Sequence, residues 1–461
     1  MTRYSSEELA TWSGGQWLAE PGLDVSGVCK DSRTISRGDL YVALRGERLD
    51  GHRFCKQALE AGAAACVVDR EFAGVDLSGP YLVVEDTTQA LSDLASGYRS
   101  QWSGAVVGVT GSCGKTTVKE WTAGVLSPLG PVGKTQGNYN NEIGLPVSML
   151  SAERSQKVGV YEVGMNHPGE LRPLCEWLKP DVGIITSVGA GHLGQFQSVR
   201  DIAVEKSEMF RVLESDGVAL AHRDNPYLDV LKSVVPCELR LVGVGGEADL
   251  VATRFDSDRV EFFEAVSGDS GSLPLPQPGE HSVVNVLFAA QVGRLFDLSW
   301  EQIADGLGRV ESLSMRWEIS ELAGVSVVND AYNANPESMR ASVTAFSDGD
   351  STGSRWVVLG GMRELGAAAE EAHRSLGAWL TGRNIDGLVL VGPDAAVIAD
   401  GIDGESRVQV AKVDDTTSAA EFLLGVLVSG DNVLLKGSRG ERIEDVLAAL
   451  AERVGDGGWR S

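Results

Sequence analysis

The stretch Val106-Val107-Gly108-Val109-Thr110-Gly111-Ser112-Cys113-Gly114-Lys115-Thr116-Thr117 constrains this chain more than any other. A β-branched apolar run ends in a glycine-rich turn, and Lys-Thr-Thr then opens a helical pattern over 118–126. Buried strand, tight loop and helix in that order are the context that a phosphate-binding loop requires. Gly111 and Gly114 allow the backbone N–H groups of the loop, Ser112 and Cys113 included, to close around phosphate oxygens. The helix N-terminus adds partial positive charge. Lys115 is placed to reach the β- and γ-phosphates, and the hydroxyl of Thr116 or Thr117 to ligate Mg²⁺. Val109 stands where the strict pattern has glycine. A plain glycine turn is the competing reading, and the strand–loop–helix placement weighs against it.

The chain has 461 residues, which sets an expectation of two to four domains. No apolar run approaches the roughly 18 residues of a membrane span. Residues Met1-Thr2-Arg3-Tyr4-Ser5-Ser6-Glu7-Glu8 lack the apolar core of a signal peptide, so a cytoplasmic protein is expected. A net charge of −25 argues against a general nucleic-acid or anionic-membrane surface. It leaves room for anionic small substrates, which need only local Lys and Arg. The six cysteines are scattered without a Cys-x-x-Cys pair and read as free thiols. Cys113, inside the loop, reads first as a small filler.

Three segments are expected, over 1–84, 85–313 and 314–461. Strands are predicted at 66–68 and 81–84 in the first, at 105–110, 158–163 and 182–187 in the second, and at 325–329, 356–359, 388–391 and 433–435 in the third. The alternation with helices predicts an α/β protein. Its central phosphate-loop domain has a parallel sheet with helices on both faces. A small N-terminal α/β domain and a Rossmann-like C-terminal domain flank it. Gly/Pro/Ser-rich 267–279 is predicted as a loop, 347–354 as an exposed connection, and 455–461 as a frayed tail.

Ligands in such sheets gather at the carboxyl ends of strands. Glu162 ends a predicted strand, and His192 and Asp330 follow predicted strands, as the phosphate loop does. Glu162 and His192 are candidate Mg²⁺ ligands or neighbours of one, the carboxylate being better suited than the imidazole. Asn138, Asn140 and Asn141 crowd one segment, as a capped turn or as a polar ligand loop. Asp330 is a candidate acceptor from a ribose hydroxyl. Asn335-Pro336 fits a helix start. Lys436-Gly437-Ser438-Arg439 reads equally as an anion contact or a solvated loop. Asp31-Ser32-Arg33 reads as turn chemistry, and Lys206 by pattern alone as a surface lysine.

Taken together these stretches resemble the Mur ligase family over nearly the whole chain. The carriers are Thr110–Thr117 itself and Gly137-Asn138-Tyr139-Asn140-Asn141-Glu142-Ile143-Gly144-Leu145-Pro146. Tyr332-Asn333-Ala334-Asn335-Pro336-Glu337-Ser338-Met339 is the most specific, joined by Gly360-Gly361-Met362-Arg363-Glu364-Leu365-Gly366 with His373, and by Lys436-Gly437-Ser438-Arg439. The resemblance implies an ATP- and Mg²⁺-dependent ligase working through an acyl phosphate. Its small-molecule substrates would be UDP-N-acetylmuramoyl-tripeptide and D-alanyl-D-alanine, and it would act as a monomer. It implies that Lys115 and Thr116 hold triphosphate and Mg²⁺, and that Glu162 and His192 ligate metal. Lys206 would be carbamylated to serve a second Mg²⁺, which suits a neutral buried amine. Asn285 would lie near adenine, and Arg316 and Asp330 would contact phosphate and ribose. Ser32 and Arg33 would lie at the UDP end. Asn138, Asn140, Asn141, Asn333, Asn335, Lys436, Ser438 and Arg439 would face substrate. Gly194 and Asn329 stand where relatives usually carry acidic residues. No Asp-Asn-Pro-Arg motif occurs, which favours the dipeptide-adding branch.

Overall fold

The structure is a computed structural model that describes residues 4–46, 48–73 and 79–454. The expected tail at 455–461 lies outside the described residues. Three sheets are present. The first runs in the order Gln16–Trp17, Tyr81–Val84, Ala65–Asp69, Asp39–Val42, Gly27–Cys29 and is parallel except at Gln16–Trp17.

The central sheet carries the phosphate loop. Its order is Ser270–Pro274, Arg259–Glu264, Leu250–Phe255, Glu238–Val244, Val218–His222, Val182–Ile185, Ala105–Thr110, Val158–Glu162, Gly133–Lys134. It is parallel from Gly133–Lys134 across to Leu250–Phe255, and the last two strands turn antiparallel. Strand alternation sends side chains of Ala105–Thr110 to two cores. Val107 and Val109 pack with Trp121, Val286 and Ile303 of the helices Lys115–Val125, Glu280–Leu295 and Trp300–Gly308. Val106 packs on the other face with Leu145, Leu174 and Met209. The strand is buried on both faces, so it reads as a continuous apolar run.

The third sheet has the order Glu318–Leu322, Val325–Asn329, Asn432–Lys436, Arg355–Leu359, Gly387–Val391, Gln409–Val413. Only Glu318–Leu322 is antiparallel. Every strand predicted above is present to within two residues. The loop expected at 267–279 is not all loop. Ser270–Pro274 pairs with Arg259–Glu264, and Leu273 is fully buried. It is an edge strand whose Ser and Gly face solvent, so its composition imitates a loop. The exposed connection expected at 347–354 begins later, because the helix Pro336–Asp348 runs into it and buries Ser347. Among the described residues no helix is long and apolar enough to cross a membrane.

Candidate active site

The phosphate loop leaves its strand at Gly111 and enters the helix Lys115–Val125 at Gly114, whose φ is 83°. A Cβ there would lie 2.7 Å from Asn285 Oδ1, so glycine lets Asn285 pack directly against the loop. The loop is stitched to the end of the adjacent strand. Cys113 N donates to Ser187 Oγ at 2.9 Å, Ser112 N to the Ser187 carbonyl at 3.0 Å, and Gly189 N to Ser112 Oγ at 2.9 Å. Lys115 Nζ donates to the Gly111 carbonyl at 2.8 Å, across the mouth of the loop. Thr117 is buried in the helix's first turn, which leaves Thr116 as the hydroxyl facing the site.

Thr116 Oγ1 donates to Glu162 Oε2 at 2.6 Å, and Asn140 Nδ2 donates to Glu162 Oε1 at 2.8 Å. Glu162 is 3% exposed, and its backbone N–H is taken by Thr135 Oγ1. Buried lysine Lys119 fixes that threonine by donating to its carbonyl at 2.7 Å. A hydroxyl beside a fixed carboxylate is the hard oxygen set that Mg²⁺ favours. Among the described residues no group of three or more His, Cys, Asp or Glu side chains is assembled for a metal. An ion here would therefore complete its shell with phosphate oxygens and water, as Mg²⁺ commonly does.

Lys206, on the helix Val199–Arg211, is not the surface lysine that its pattern suggests. It is 2% exposed, and burial, reinforced by the like charge of Lys115, drives its amine well below the usual lysine range. The charged neighbours Glu205 and Glu208 mask this in the sequence, although Lys206 lies on the helix's buried stripe with Ile202, Ala203 and Met209.

The third sheet's domain docks on this loop. Arg316 Nη2 donates to Thr116 Oγ1 at 3.0 Å, while its guanidinium stacks over Tyr332 at 4.0 Å. Met315 and Trp317 on either side hold positive φ of 56° and 54°, so the chain is bent to aim Arg316 inward. Asn335 caps the helix Pro336–Asp348 and also accepts from Cys113 Sγ at 3.2 Å. Ala190 N donates to Glu337 Oε1 at 3.0 Å, and His192 Nδ1 lies 2.7 Å from Glu364 Oε2.

Asp330 and Lys436 form a buried pair, with Nζ 2.7 Å from Oδ2. Lys436 also donates to the carbonyls of Asp330 and Asn333, both at 3.2 Å. Ser438 is buried and accepts from Arg363 N at 2.8 Å. Arg439 is paired with Glu444, and Asn141 Oδ1 accepts from Gly144 N at the start of the helix Gly144–Leu150. Asn138 is exposed. Ser32 and Arg33 lie apart on the first domain, where Arg33 clasps Asp31 and holds that carboxyl down to about 2. The first domain reaches the asparagine loop through Lys30, whose ammonium lies 4.4 Å above the Tyr139 ring. Thr116, Glu162, Asn140, Lys115, Asn285, Arg316 and Asn335 are thus brought together. Thr135 and Lys119 carry no role in the sequence reading, because nothing in their local pattern sets them apart, while Tyr332 and Glu337 lie inside the Tyr332–Met339 motif without an assigned role.

Comparison with known proteins agrees with this geometry. Residues 24–99 match the Mur ligase family catalytic domain, 109–293 the Mur ligase middle domain, and 315–439 the Mur ligase glutamate ligase domain. The UDP-N-acetylmuramoyl-tripeptide–D-alanyl-D-alanine ligase of Bacillus subtilis is 34% identical over 442 residues, 94% of this chain and 96% of that protein. A crystal structure of MurF from Acinetobacter baumannii superposes with a TM-score of 0.89 at 29% identity, covering 98% of this chain and 99% of that one. MurF ligase from Thermotoga maritima, in complex with ADP, gives 0.82 at 30% identity over 94% and 98%. This chain belongs to the Mur ligase family.

Proposed function

We infer that this protein is an ATP-dependent amide ligase that adds D-alanyl-D-alanine to UDP-N-acetylmuramoyl-tripeptide, a step in making the peptidoglycan precursor. The observation that carries the reading is the Arg316–Thr116 contact, which puts a third-domain cation on the hydroxyl that opens the phosphate-loop helix. Full-length similarity to enzymes of that name, and to an ADP complex, supports it. In this reading residues 1–84 take the UDP-sugar, 85–313 the nucleotide and 314–461 the incoming amine. The cytoplasm, where its nucleotide substrates are made, is the matching compartment.

The tripeptide's terminal carboxylate attacks the γ-phosphorus of ATP, giving an acyl phosphate and ADP. The dipeptide amine then attacks the acyl carbon, and phosphate leaves. The loop N–H groups and Lys115 hold the phosphates, while Arg316 brings positive charge to the same oxygens. Thr116 and Glu162 would hold Mg²⁺, with His192 beside it. Such an ion would neutralise charge on the transferring phosphoryl group. The depressed basicity of Lys206 leaves a neutral amine able to add CO₂, and its carbamate would supply a further oxygen ligand. Docking of the third domain shields the acyl phosphate from water.

The test is ADP release with UDP-N-acetylmuramoyl-tripeptide, MgATP and D-alanyl-D-alanine, each omitted in turn, with the product weighed by mass spectrometry. Strict dependence on all three and a UDP-pentapeptide mass are expected. Full-rate ATP turnover without the dipeptide would overturn the reading.

A further inference from the structure

We propose that Glu364 is a positioning residue for this reaction: docking of the third domain delivers its carboxylate to Nδ1 of His192, fixing the ring with Nε2 as the free lone-pair nitrogen. The inference rests on the ligase reading above.

Two turns from different domains interlock here. His192 and Glu364 both hold left-handed backbone, with φ of 64° and 65°. Gly194 N donates to the Glu364 carbonyl at 2.8 Å, so the contact has a main-chain anchor as well as the 2.7 Å side-chain approach. A Cβ on Gly194 would sit 2.9 Å from Gly366 N and 3.1 Å from the Glu364 carbonyl oxygen. Only a residue without a side chain lets the two backbones meet.

The turn bearing Glu364 is itself held firmly. Met362 N donates to His373 Nε2 at 2.9 Å, and His373 Nδ1 faces the Ala369 carbonyl at 2.6 Å. Arg363 N donates to Ser438 Oγ, and its guanidinium pairs with Glu441 at 2.6 Å. Leu365 is buried beside them. A rigid turn therefore presents a carboxylate that pairs with a histidine across the domain boundary, with the Lys115 ammonium adding a more distant positive charge. The Glu364 side chain remains 55% exposed, so this pair contributes little to stability and its effect falls on ring orientation. A carboxylate on one imidazole nitrogen sets which nitrogen carries the proton and raises the basicity of the other. Only the docked arrangement completes the pair, so docking and preparation of His192 become one event.

The test uses the full chain with isotope-labelled imidazole nitrogens, His192 being assigned by its loss in His192→Gln. Glu364→Ala is expected to abolish the Nδ1–H tautomer of His192. It should also raise the Mg²⁺ concentration for half-maximal ligation about ten- to a hundredfold. Thermal midpoint and the KM for the dipeptide should stay unchanged, and Glu364→Gln, which keeps an acceptor, should restore the tautomer. Gly194→Val, which forces the turns apart while leaving the carboxylate in place, should reproduce the Glu364→Ala phenotype. An unchanged tautomer and Mg²⁺ response in Glu364→Ala would overturn the proposal, as would a Gly194→Val protein with wild-type behaviour. If the wild-type chain makes no ligated product, the ligase reading fails. The tautomer comparison is then still decided on its own spectrum.

Discussion

Lys436 looks from its glycine-rich surroundings like a cation waiting for an anion, and the structure makes it something else. Its side chain is 4% exposed, and its ammonium donates to Asp330 Oδ2 and to the carbonyls of Asp330 and Asn333. An ammonium has three donors, so all three are consumed inside the protein. Lys436→Met would leave the Asp330 carboxylate with only the neutral donors Ser342 Oγ and Trp317 N, and would strip two carbonyls of a partner. Breaking one side of a buried pair costs about 3–5 kcal/mol. Asp330→Asn removes the uncompensated charge, so the double variant should recover about 2 kcal/mol of the single loss. Urea unfolding followed by tryptophan fluorescence measures the cycle, with Trp356 and Trp379 as reporters in the same domain. An unfolding free energy for Lys436→Met within about 1 kcal/mol of wild type, with the KM for a substrate raised about tenfold or more, would refute the structural role and return Lys436 to ligand binding.

Glu162→Ala should cut ligation at least about a hundredfold at saturating substrates; turnover within a few-fold of wild type would remove Glu162 from the site. Arg316→Lys loses the planar stack on Tyr332 and should raise the KM for ATP about tenfold, measured by ADP release. Lys206→Met replaces a buried amine by an apolar side chain of similar shape. It should leave the thermal midpoint equal or higher while abolishing ligation, and wild-type activity should fall in CO₂-depleted buffer and return with bicarbonate. His281 lies near the Asp330–Lys436 pair, and burial pushes its imidazole down from 6.5 to about 4. The unfolded chain binds that proton first, so stability should fall as pH drops from about 6.5 to 4. The ceiling is about 3 kcal/mol, and the slope should be absent in His281→Leu.

The strands most legible in the sequence are those buried on both faces. Ala105–Thr110 and Val325–Asn329 announce themselves by β-branched runs because most of their side chains are buried in a core on one face or the other. Ser270–Pro274 escapes notice because an edge strand needs only Leu273 inward. The site divides the same way. The phosphate loop is local, so its glycines, lysine and threonine stand together in the chain. Glu162, Asn140 and Thr116 are 22 and 46 residues apart and meet only through strand order. Lys206 has a charged local pattern and a buried position, which no window of sequence distinguishes. The Glu364–His192 contact depends on how one domain rests on another, and pattern within either turn cannot reveal it.

The helix Thr87–Gln101 has a further consequence. Its Leu91, Leu94, Ala95 and Tyr98 share a continuous apolar cluster with Leu9, Leu40 and Leu82 on one side and Leu145, Leu171 and Leu178 on the other. Three sheets therefore do not make three independently melting units. The first two are welded by a common beam, and a calorimeter should see them give way together. The polar, hydrogen-bonded seam on the far side of the phosphate loop is then the joint at which the molecule can swing open and shut intact.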